Sequence, residues 1–288
     1  MRIEGVGPAQ AQAVETFLST HWASSMILRS NARAAGFVDD GRRFSGAWFA
    51  AWDQGEIVGV VSHAWSGNLI LQAPIGAAPL AEAAVTASGR PVQGLIGPWG
   101  QVCDVRSALN LMNRHAPLDS REELFLLELA DLAIPAELTS GKIQVRRAIE
   151  ADLPVVIEMR IAYEIETNRR SPKDAVETAQ TTVPRMIASG DGFVACVDGK
   201  IAAISTFNAR LPDVVQIGGV FTPPERRGQR LARACVAGSL QIARSEGVSR
   251  SVLFTGEENI PAQRAYLSIG FHIIGDYGLV LFATQAKS

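Results

Sequence analysis

Apolar residues fall along the chain in two recurring patterns: short runs typical of buried strands, and longer stretches with the helical period. In the first half, two apolar runs within Gly46–Ala64 are joined by Asp53-Gln54-Gly55, which predicts a β-hairpin. Further strands are predicted at 68–72, 92–96 and 123–129, and helices at 10–21, 25–37, 80–88 and 100–112.

The second half repeats this order. A hairpin is predicted at Gly192–Ser205 around Asp198-Gly199, and it matches Gly46–Ser62 almost position for position. Strands are predicted at 145–147, 215–221 and 252–255, and helices at 150–160, 163–168, 175–188, from about 227, and after 259. We therefore predict two copies of one α/β unit, at residues 1–138 and 143–288, with a polar joint at 139–142.

Composition narrows the class of protein. The 288 residues are 47% hydrophobic and 19% charged with a net charge of -2, which is typical of a soluble globular protein. The chain has no excess of positive charge, so neither nucleic acid nor an anionic membrane is expected as a binding partner. The start of the chain lacks the pattern of a secretory signal, and no apolar segment is long enough to span a bilayer, so we expect a cytoplasmic location.

Cysteine and histidine are too sparse to form a site by themselves. The three cysteines (Cys103, Cys196 and Cys235) have no CxxC spacing, and the four histidines are scattered along the chain. Neither a disulfide framework nor a metal site is therefore expected. Cys235 is expected to be a small buried apolar residue.

The stretch Val215–Ser239 carries the most distinctive chemistry. It predicts a buried strand, a turn through Pro223-Pro224 and a helix that begins near Arg227. Four arginines crowd the first two helical turns, and Glu225 is the only acid nearby in the sequence: Arg226, Arg227, Arg230 and Arg233. Because a helix N-terminus disfavours cations, this arrangement suggests that an anion binds there, with a solvated basic helix end as the alternative.

With this turn in place, the second half resembles a GCN5-related N-acetyltransferase (GNAT) domain, and more closely the FR47-like branch related to glycine N-acyltransferases. In that family, Q/R-x-x-G/A-x-G/A opens the central helix, and its amides bind the pyrophosphate of acetyl-CoA. The matching residues here are Arg227, Gly228, Gln229, Arg230, Leu231 and Ala232. Arg230 stands where glycine or alanine is usual, so its side chain must turn away from the phosphates or onto them.

Two further motifs carry the resemblance, which covers about residues 143–288. Gly218-Gly219-Val220 matches the strand whose edge binds pantetheine, and Asn259–Phe271 matches N-x-x-A-x-x-x-Y-x-x-x-G-F. The resemblance implies two tandem GNAT-like domains, each a mixed, mostly antiparallel sheet flanked by helices. The N-terminal copy lacks the signature, since its equivalent turn, Ala73–Pro79, has no cation. That copy is expected to have a structural role or to form part of the acceptor pocket.

By this resemblance the protein is an N-acetyltransferase that moves an acetyl group from acetyl-CoA directly to the primary amine of a small molecule, without a metal. The Val220 N–H would stabilise the developing oxyanion, and Tyr266 would be the general acid, although a core tyrosine would show the same spacing. The residues expected to contact the cofactor are Gly219, Val220, Phe221, Thr222, Arg227, Gly228, Gln229, Arg230, Leu231, Ala232, Asn259, Ala262 and Tyr266.

The general base and the acceptor are less well defined by the sequence. Glu164 and Glu166 are the candidate bases. The alternative is that both only lie on the solvent-exposed face of a helix. Asn259 is expected to cap a helix, and capping alone would account for it. A bulkier acyl-CoA with an amino-acid acceptor, or a non-catalytic acyl-CoA-binding or assembly protein, are the competing functions. The sequence leaves a homodimer open.

Overall fold

The computed structural model describes residues 1–283. In the first half of the chain the helices and strands are β1 (Arg2–Gly5), α1 (Ala11–Thr20), α2 (Met26–Ala35), β2 (Gly46–Asp53), β3 (Glu56–Ala64), β4 (Asn68–Gln72), α3 (Ala77–Ser88), β5 (Gly94–Gly97), α4 (Trp99–Ala108) and β6 (Leu118–Glu128).

The second half continues with α5 (Ala136–Thr139), β7 (Gln144–Arg147), α6 (Leu153–Glu166), α7 (Pro172–Ala188), β8 (Gly192–Val197), β9 (Lys200–Arg210), β10 (Val214–Phe221), α8 (Leu231–Ser245), β11 (Arg250–Gly256), α9 (Ile260–Leu267) and β12 (His272–Leu281). None of the helices within residues 1–283 is long and apolar enough to cross a membrane.

The chain divides into two compact units, and the division falls inside two strands. Among the described residues, unit 1 comprises Met1–Glu123 and 276–283, and unit 2 comprises Leu124–Gly275. The strand order is β1-β2-β3-β4-β5-β12 in unit 1 and β6-β11-β10-β9-β8-β7 in unit 2. The last strand of each copy, β6 or β12, therefore completes the sheet of the other copy.

Because of this exchange, the limits of the two units differ from the domain boundary expected at 138–143. The chain passes between the units at 123–124 and again at 275–276, and neither crossing lies at the predicted polar joint. Hydrophobic patterning shows which face of a strand is buried, and it does not show which strand will lie beside it.

The two units have the same order of elements, which confirms the predicted repeat and fold class. In both, a hairpin is followed by a strand, a helix, a parallel strand and a second helix. Both hairpin turns have positive φ at their two central residues: Gln54 (49°) and Gly55 (90°), and Asp198 (50°) and Gly199 (72°). These angles suit the two-residue turns whose twist matches that of the flanking strands.

Helices α6 and α8 differ from the predicted bounds. Helix α6 is a single helix over Leu153–Glu166, although two segments were predicted, at 150–160 and 163–168. Helix α8 packs very close to the sheet, since a Cβ on Gly238 would lie 2.5 Å from Cβ of Val145. That close approach fixes the position of the loop that precedes α8.

Candidate active site

A cleft opens between β10 and β11 in the middle of the sheet of unit 2. The two strands run parallel and pair at Val214 with Arg250, Val215 with Ser251 and Gln216 with Val252. Beyond Gln216 the ladder stops, although β10 continues to Phe221 and β11 to Gly256. Backbone N–H and C=O groups at the carboxyl ends of both strands are thereby left for a ligand, as expected at this edge of an α/β sheet.

A β-bulge deforms β10 where it borders the cleft. Gly218 pairs with Thr206 on β9 and Phe221 pairs with Ile204. Two residues of β10 therefore lie between these pairs where β9 has one, so β10 has one extra residue. Gly219 takes φ of 56°, a conformation that favours glycine. The bulge therefore re-aims the backbone of the next residue, Val220, and bulges of this kind occur beside active sites.

The loop between β10 and α8 is not helical, contrary to the predicted helix start near Arg227. Pro224–Arg226 forms a short 3-10 turn, and α8 begins at Leu231. The physical reason lies in two left-handed residues, Gly228 (φ 76°) and Arg230 (φ 64°), which a helix cannot contain. The left-handed conformation at Arg230 also explains why glycine is usual at this signature position.

This loop presents a run of unpaired amides. The six backbone N–H groups from Gly228 to Arg233 have no acceptor among residues 1–283, and the first N–H to find one is that of Ala234, which donates to the carbonyl of Arg230. Successive amides around left-handed residues form a concave anion site, and the partial positive charge of the N-terminus of α8 adds to it. A diphosphate group fits this donor set.

Three of the four arginines here are paired with glutamates that lie far away in the sequence. Glu137 binds Arg230 and Arg233 through separate oxygens, at 2.8 Å each. Glu166 accepts from Nη2 of Arg227 through both oxygens at 2.7 Å. The anion site consequently depends mainly on the backbone amides, because the side chains of Arg227, Arg230 and Arg233 are already paired.

The pairing of Glu137 predicts a pH effect on stability. The Arg230 guanidinium, with Arg233 beside it, lowers the pKa of Glu137 to about 2 from its ordinary 4.5. Because the pKa is lower in the folded state, this contribution is present above about pH 4.5 and is lost as the pH falls towards 2. Denaturant unfolding should show wild type more stable than Glu137→Gln at pH 7, with the difference shrinking by pH 2.5. A difference that does not change with pH would contradict this assignment.

Tyr266 lies on the α9 side of the sheet, near the bulge. Its side chain is 7% exposed and packs edge-on against Phe125 and Phe271, with ring centroids 6.1 Å apart in both pairs. Val220 and Ala262 pack against the same apolar cluster. The structure therefore brings three of the residues predicted from the motifs together, and it also confirms the packing that a core tyrosine requires.

Asn259 caps α9, as predicted. Its Oδ1 accepts a hydrogen bond from the Ala262 N–H at 3.4 Å, and its Nδ2 donates to Oγ1 of Thr255 on β11 at 3.2 Å. The amide thereby fixes the loop at the open end of the cleft.

Glu164 and Glu166 belong to α6, on the opposite face of the sheet from Tyr266. Phe221 contributes to the apolar cluster beneath α6 and α7, whereas Val220 faces the cluster of Tyr266. Glu164 is 1% exposed, and both its oxygens accept hydrogen bonds from fixed donors. Glu166 is exposed and bound to Arg227. A proton acceptor at either position would have to release a guanidinium first.

Gln216 and Arg160 are absent from the sequence prediction, whereas Thr222 is one of the residues expected to contact the cofactor. Nε2 of Gln216, where the ladder ends, and Oγ1 of Thr222, just past β10, are buried without a hydrogen-bond partner among residues 1–283. Such orphaned groups fit a ligand that supplies polar partners along the cleft. Arg160 of α6 reaches the bulge, and only its spacing of four residues from Glu164 could have indicated an ion pair. Within residues 1–283 no cluster of His, Cys, Asp or Glu side chains could hold a metal.

The corresponding position in unit 1 is unsuited to a diphosphate. Gly76 is the left-handed residue before α3, as Arg230 is before α8. The depression there, about 440 Å³, is lined by the first turn of α3 and by Asp104 on α4. Pro79 has no N–H, and Asp104 would repel phosphate. Gln101 accepts a hydrogen bond from the Ala73 N–H at 2.7 Å, and so satisfies the backbone just beyond β4.

Comparison with known proteins agrees with this geometry. The model of the acetyltransferase (GNAT) family matches residues 158–271, which include the C-terminal part of α6, all of β10, the amide-rich loop and α9. No curated protein sequence matches the chain.

Solved structures resemble the chain over nearly its whole length. A Drosophila protein is 12% identical, with coverage of 99% of each chain and a TM-score of 0.64. A GCN5-related N-acetyltransferase from Sphaerobacter thermophilus is 14% identical, covers 97% of this chain and 94% of its own, and has a TM-score of 0.58. A tandem GNAT protein from the clavulanic acid biosynthesis pathway is 14% identical, covers 100% and 99%, and has a TM-score of 0.53. At such identities the likeness shows a shared fold. Together with the family match, it shows that residues 158–271 form an acetyltransferase domain of the GNAT type.

Proposed function

We propose that unit 2 transfers the acetyl group of acetyl-CoA to the primary amine of a small molecule. The observation that carries this proposal is the coincidence of two features at one place. The parallel strands β10 and β11 separate beyond Gln216, and at the same edge six amides of the following loop and of the first turn of α8 have no acceptor among residues 1–283. A long acyl donor with a diphosphate group needs both a slot between strands and an anion site.

The amides of Gly228–Arg233 would hold the diphosphate, and the free edges of β10 and β11 would hold the amide groups of pantetheine. Thr222 and Gln216 would donate to the ligand the hydrogen bonds that their buried groups do not make with residues 1–283. Because Arg227, Arg230 and Arg233 are already paired with glutamates, we assign the main binding term to the backbone. The N-terminal copy is proposed to bind no second donor, since Pro79 and Asp104 oppose it.

Acetyl-CoA supplies an activated thioester, so the protein needs chiefly to position the groups and to stabilise charge. The bulge at Gly219 re-aims the Val220 N–H, which we propose as the oxyanion donor. The Tyr266 hydroxyl would donate a proton to the departing sulfur. Glu164 and Glu166 stay predicted bases. An amine that enters already neutral still loses one N–H proton as the C–N bond forms, and this proton would restore the Tyr266 hydroxyl that has protonated the sulfur.

The proposal is tested by a charge placed in the loop. Gln229→Glu keeps the side-chain shape and puts a carboxylate beside the diphosphate site, so acetyl-CoA should bind about five to ten times more weakly by calorimetry. Gln180→Glu is the matched control, because it makes the same change at an exposed position on α7. Wild type and this control should each bind one acetyl-CoA per chain.

Two acetyl-CoA sites per chain would contradict the proposal that the N-terminal copy binds no donor. Equal weakening of binding by Gln229→Glu and Gln180→Glu would contradict the proposal that the loop binds the diphosphate. Release of CoA thiol that depends on an added amine distinguishes an enzyme from a non-catalytic acyl-CoA-binding protein. Binding of acetyl-CoA with no transfer across a broad panel of amines would favour the latter.

A further inference from the structure

Arg160 holds a guanidinium against the bulge of β10. Its side chain is only 12% exposed and lies over the ring of Tyr163, with Cζ 4.8 Å from the ring centroid. A Cβ built on Gly219 would lie 2.6 Å from Nη1 of Arg160. The cation therefore sits directly beside the residue that precedes Val220, on the α6 side of the sheet.

Only part of this guanidinium is occupied. Nε donates to Oε1 of Glu164 at 2.8 Å, and Nη2 lies 2.7 Å from the same oxygen. Nη1 has no hydrogen-bond partner among residues 1–283. Since a guanidinium has five N–H donors in a planar fork, the edge formed by Nη1 and the outer N–H of Nη2 stays open. The group is fixed in orientation and still able to bind a planar anion.

The charges around Glu164 leave a surplus of positive charge. The carboxylate also accepts from Nε of Arg170 at 3.0 Å and from Nδ2 of Asn168 at 2.7 Å. Two guanidinium groups thus share one buried carboxylate, and the cluster carries one uncompensated positive charge beside the bulge. A second carboxylate, brought by a ligand, would balance it and fill the open edge of Arg160.

On the basis of the function proposed above, we propose that the amine acceptor carries a carboxylate that Arg160 binds. Gly219 and Val220 are adjacent in the chain, so the open edge of Arg160 and the proposed oxyanion donor lie close together. The carboxylate of the acceptor must then be near its amine, separated by about one to three carbon atoms given the lengths of covalent and hydrogen bonds. Small amino acids have this form.

A purely structural Arg160, a counter-ion for Glu164, would give no preference among acceptors. The test therefore measures kcat/KM for amino acids, with β-alanine and γ-aminobutyrate included, each paired with its carboxamide. Wild type should prefer the carboxylate of each productive pair by about 10- to 100-fold. In Arg160→Gln this preference should fall to within about threefold of one, mainly through KM for the amino acid. Arg185→Gln, which removes an exposed cation on α7, should keep it.

If Arg160→Gln does not fold, as judged by thermal unfolding, Arg160→Lys keeps a charge beside Glu164 and removes the planar fork, and it should still reduce the preference. Equal use of carboxamides and amino acids by wild type, with acetyl-CoA bound and an amine acetylated, would overturn this inference alone. The absence of both acetyl-CoA binding and transfer would overturn the proposed function and this inference together.

Discussion

Gly219→Val is expected to abolish acyl transfer. Valine is strained at φ of 56°, and its Cβ would lie 2.6 Å from Nη1 of Arg160 and 3.0 Å from Oγ1 of Thr206. The bulge would have to shift, and the Val220 N–H would move with it. Because displacement of a positioning group by about 1 Å can cost 100-fold, we expect kcat/KM to fall at least about 100-fold. We expect the free energy of unfolding to fall by about 2–4 kcal/mol.

Gly199→Val separates these two effects. Gly199 has φ of 72° in the turn between β8 and β9, and a Cβ there would meet no atom of residues 1–283 within 4 Å. This variant should show only the backbone strain, about 1–2 kcal/mol, and unchanged transfer. Transfer assays and chemical unfolding of both variants provide the comparison. If Gly219→Val keeps more than a tenth of wild-type kcat/KM, the bulge is not required for acyl transfer.

Tyr266→Phe should lower kcat by about 10²- to 10⁴-fold, the usual contribution of a general acid, while acetyl-CoA affinity is retained. The substitution keeps the ring that packs against Phe125 and Phe271, so the fold should persist. Tyr277→Phe is the control, since Tyr277 is also buried, at 2% exposure, and its hydroxyl donates to the Ser24 carbonyl within unit 1.

The kinetic comparison distinguishes catalysis from packing. If Tyr266 were only a core residue, both phenylalanine variants would retain kcat and differ from wild type in stability alone. A loss of kcat in Tyr266→Phe with an unchanged calorimetric Kd for acetyl-CoA would support proton donation. An unchanged kcat would assign that proton to solvent.

Local signals in the sequence predict much of the C-terminal site. Repeated hairpins, the order of strands and helices, and the cap at Asn259 all depend on residues close together in the chain, and the structure has them. Arg230 shows the limit of such signals. Its left-handed conformation places the start of α8 later than the arginine spacing suggests, because the helix cannot begin until the backbone leaves that region.

Contacts between distant residues could not be predicted in the same way. Glu137 lies 93 and 96 residues from its two arginine partners, and Glu166 lies 61 residues from Arg227. Any of the chain's acidic residues could have filled these positions as far as the pattern shows. The open edge of Arg160 depends in addition on a glycine in a bulged strand, which becomes visible only when the strands are paired.

The exchange of β6 and β12 has a consequence for inheritance and for protein engineering. A fragment beginning at residue 143 would keep every motif of the catalytic signature and lose β6, the neighbour of β11, together with Phe125 beside Tyr266. It would expose a hydrophobic strand edge, which favours aggregation. A gene that lost the first half would therefore also lose a strand from the sheet that holds the GNAT signature.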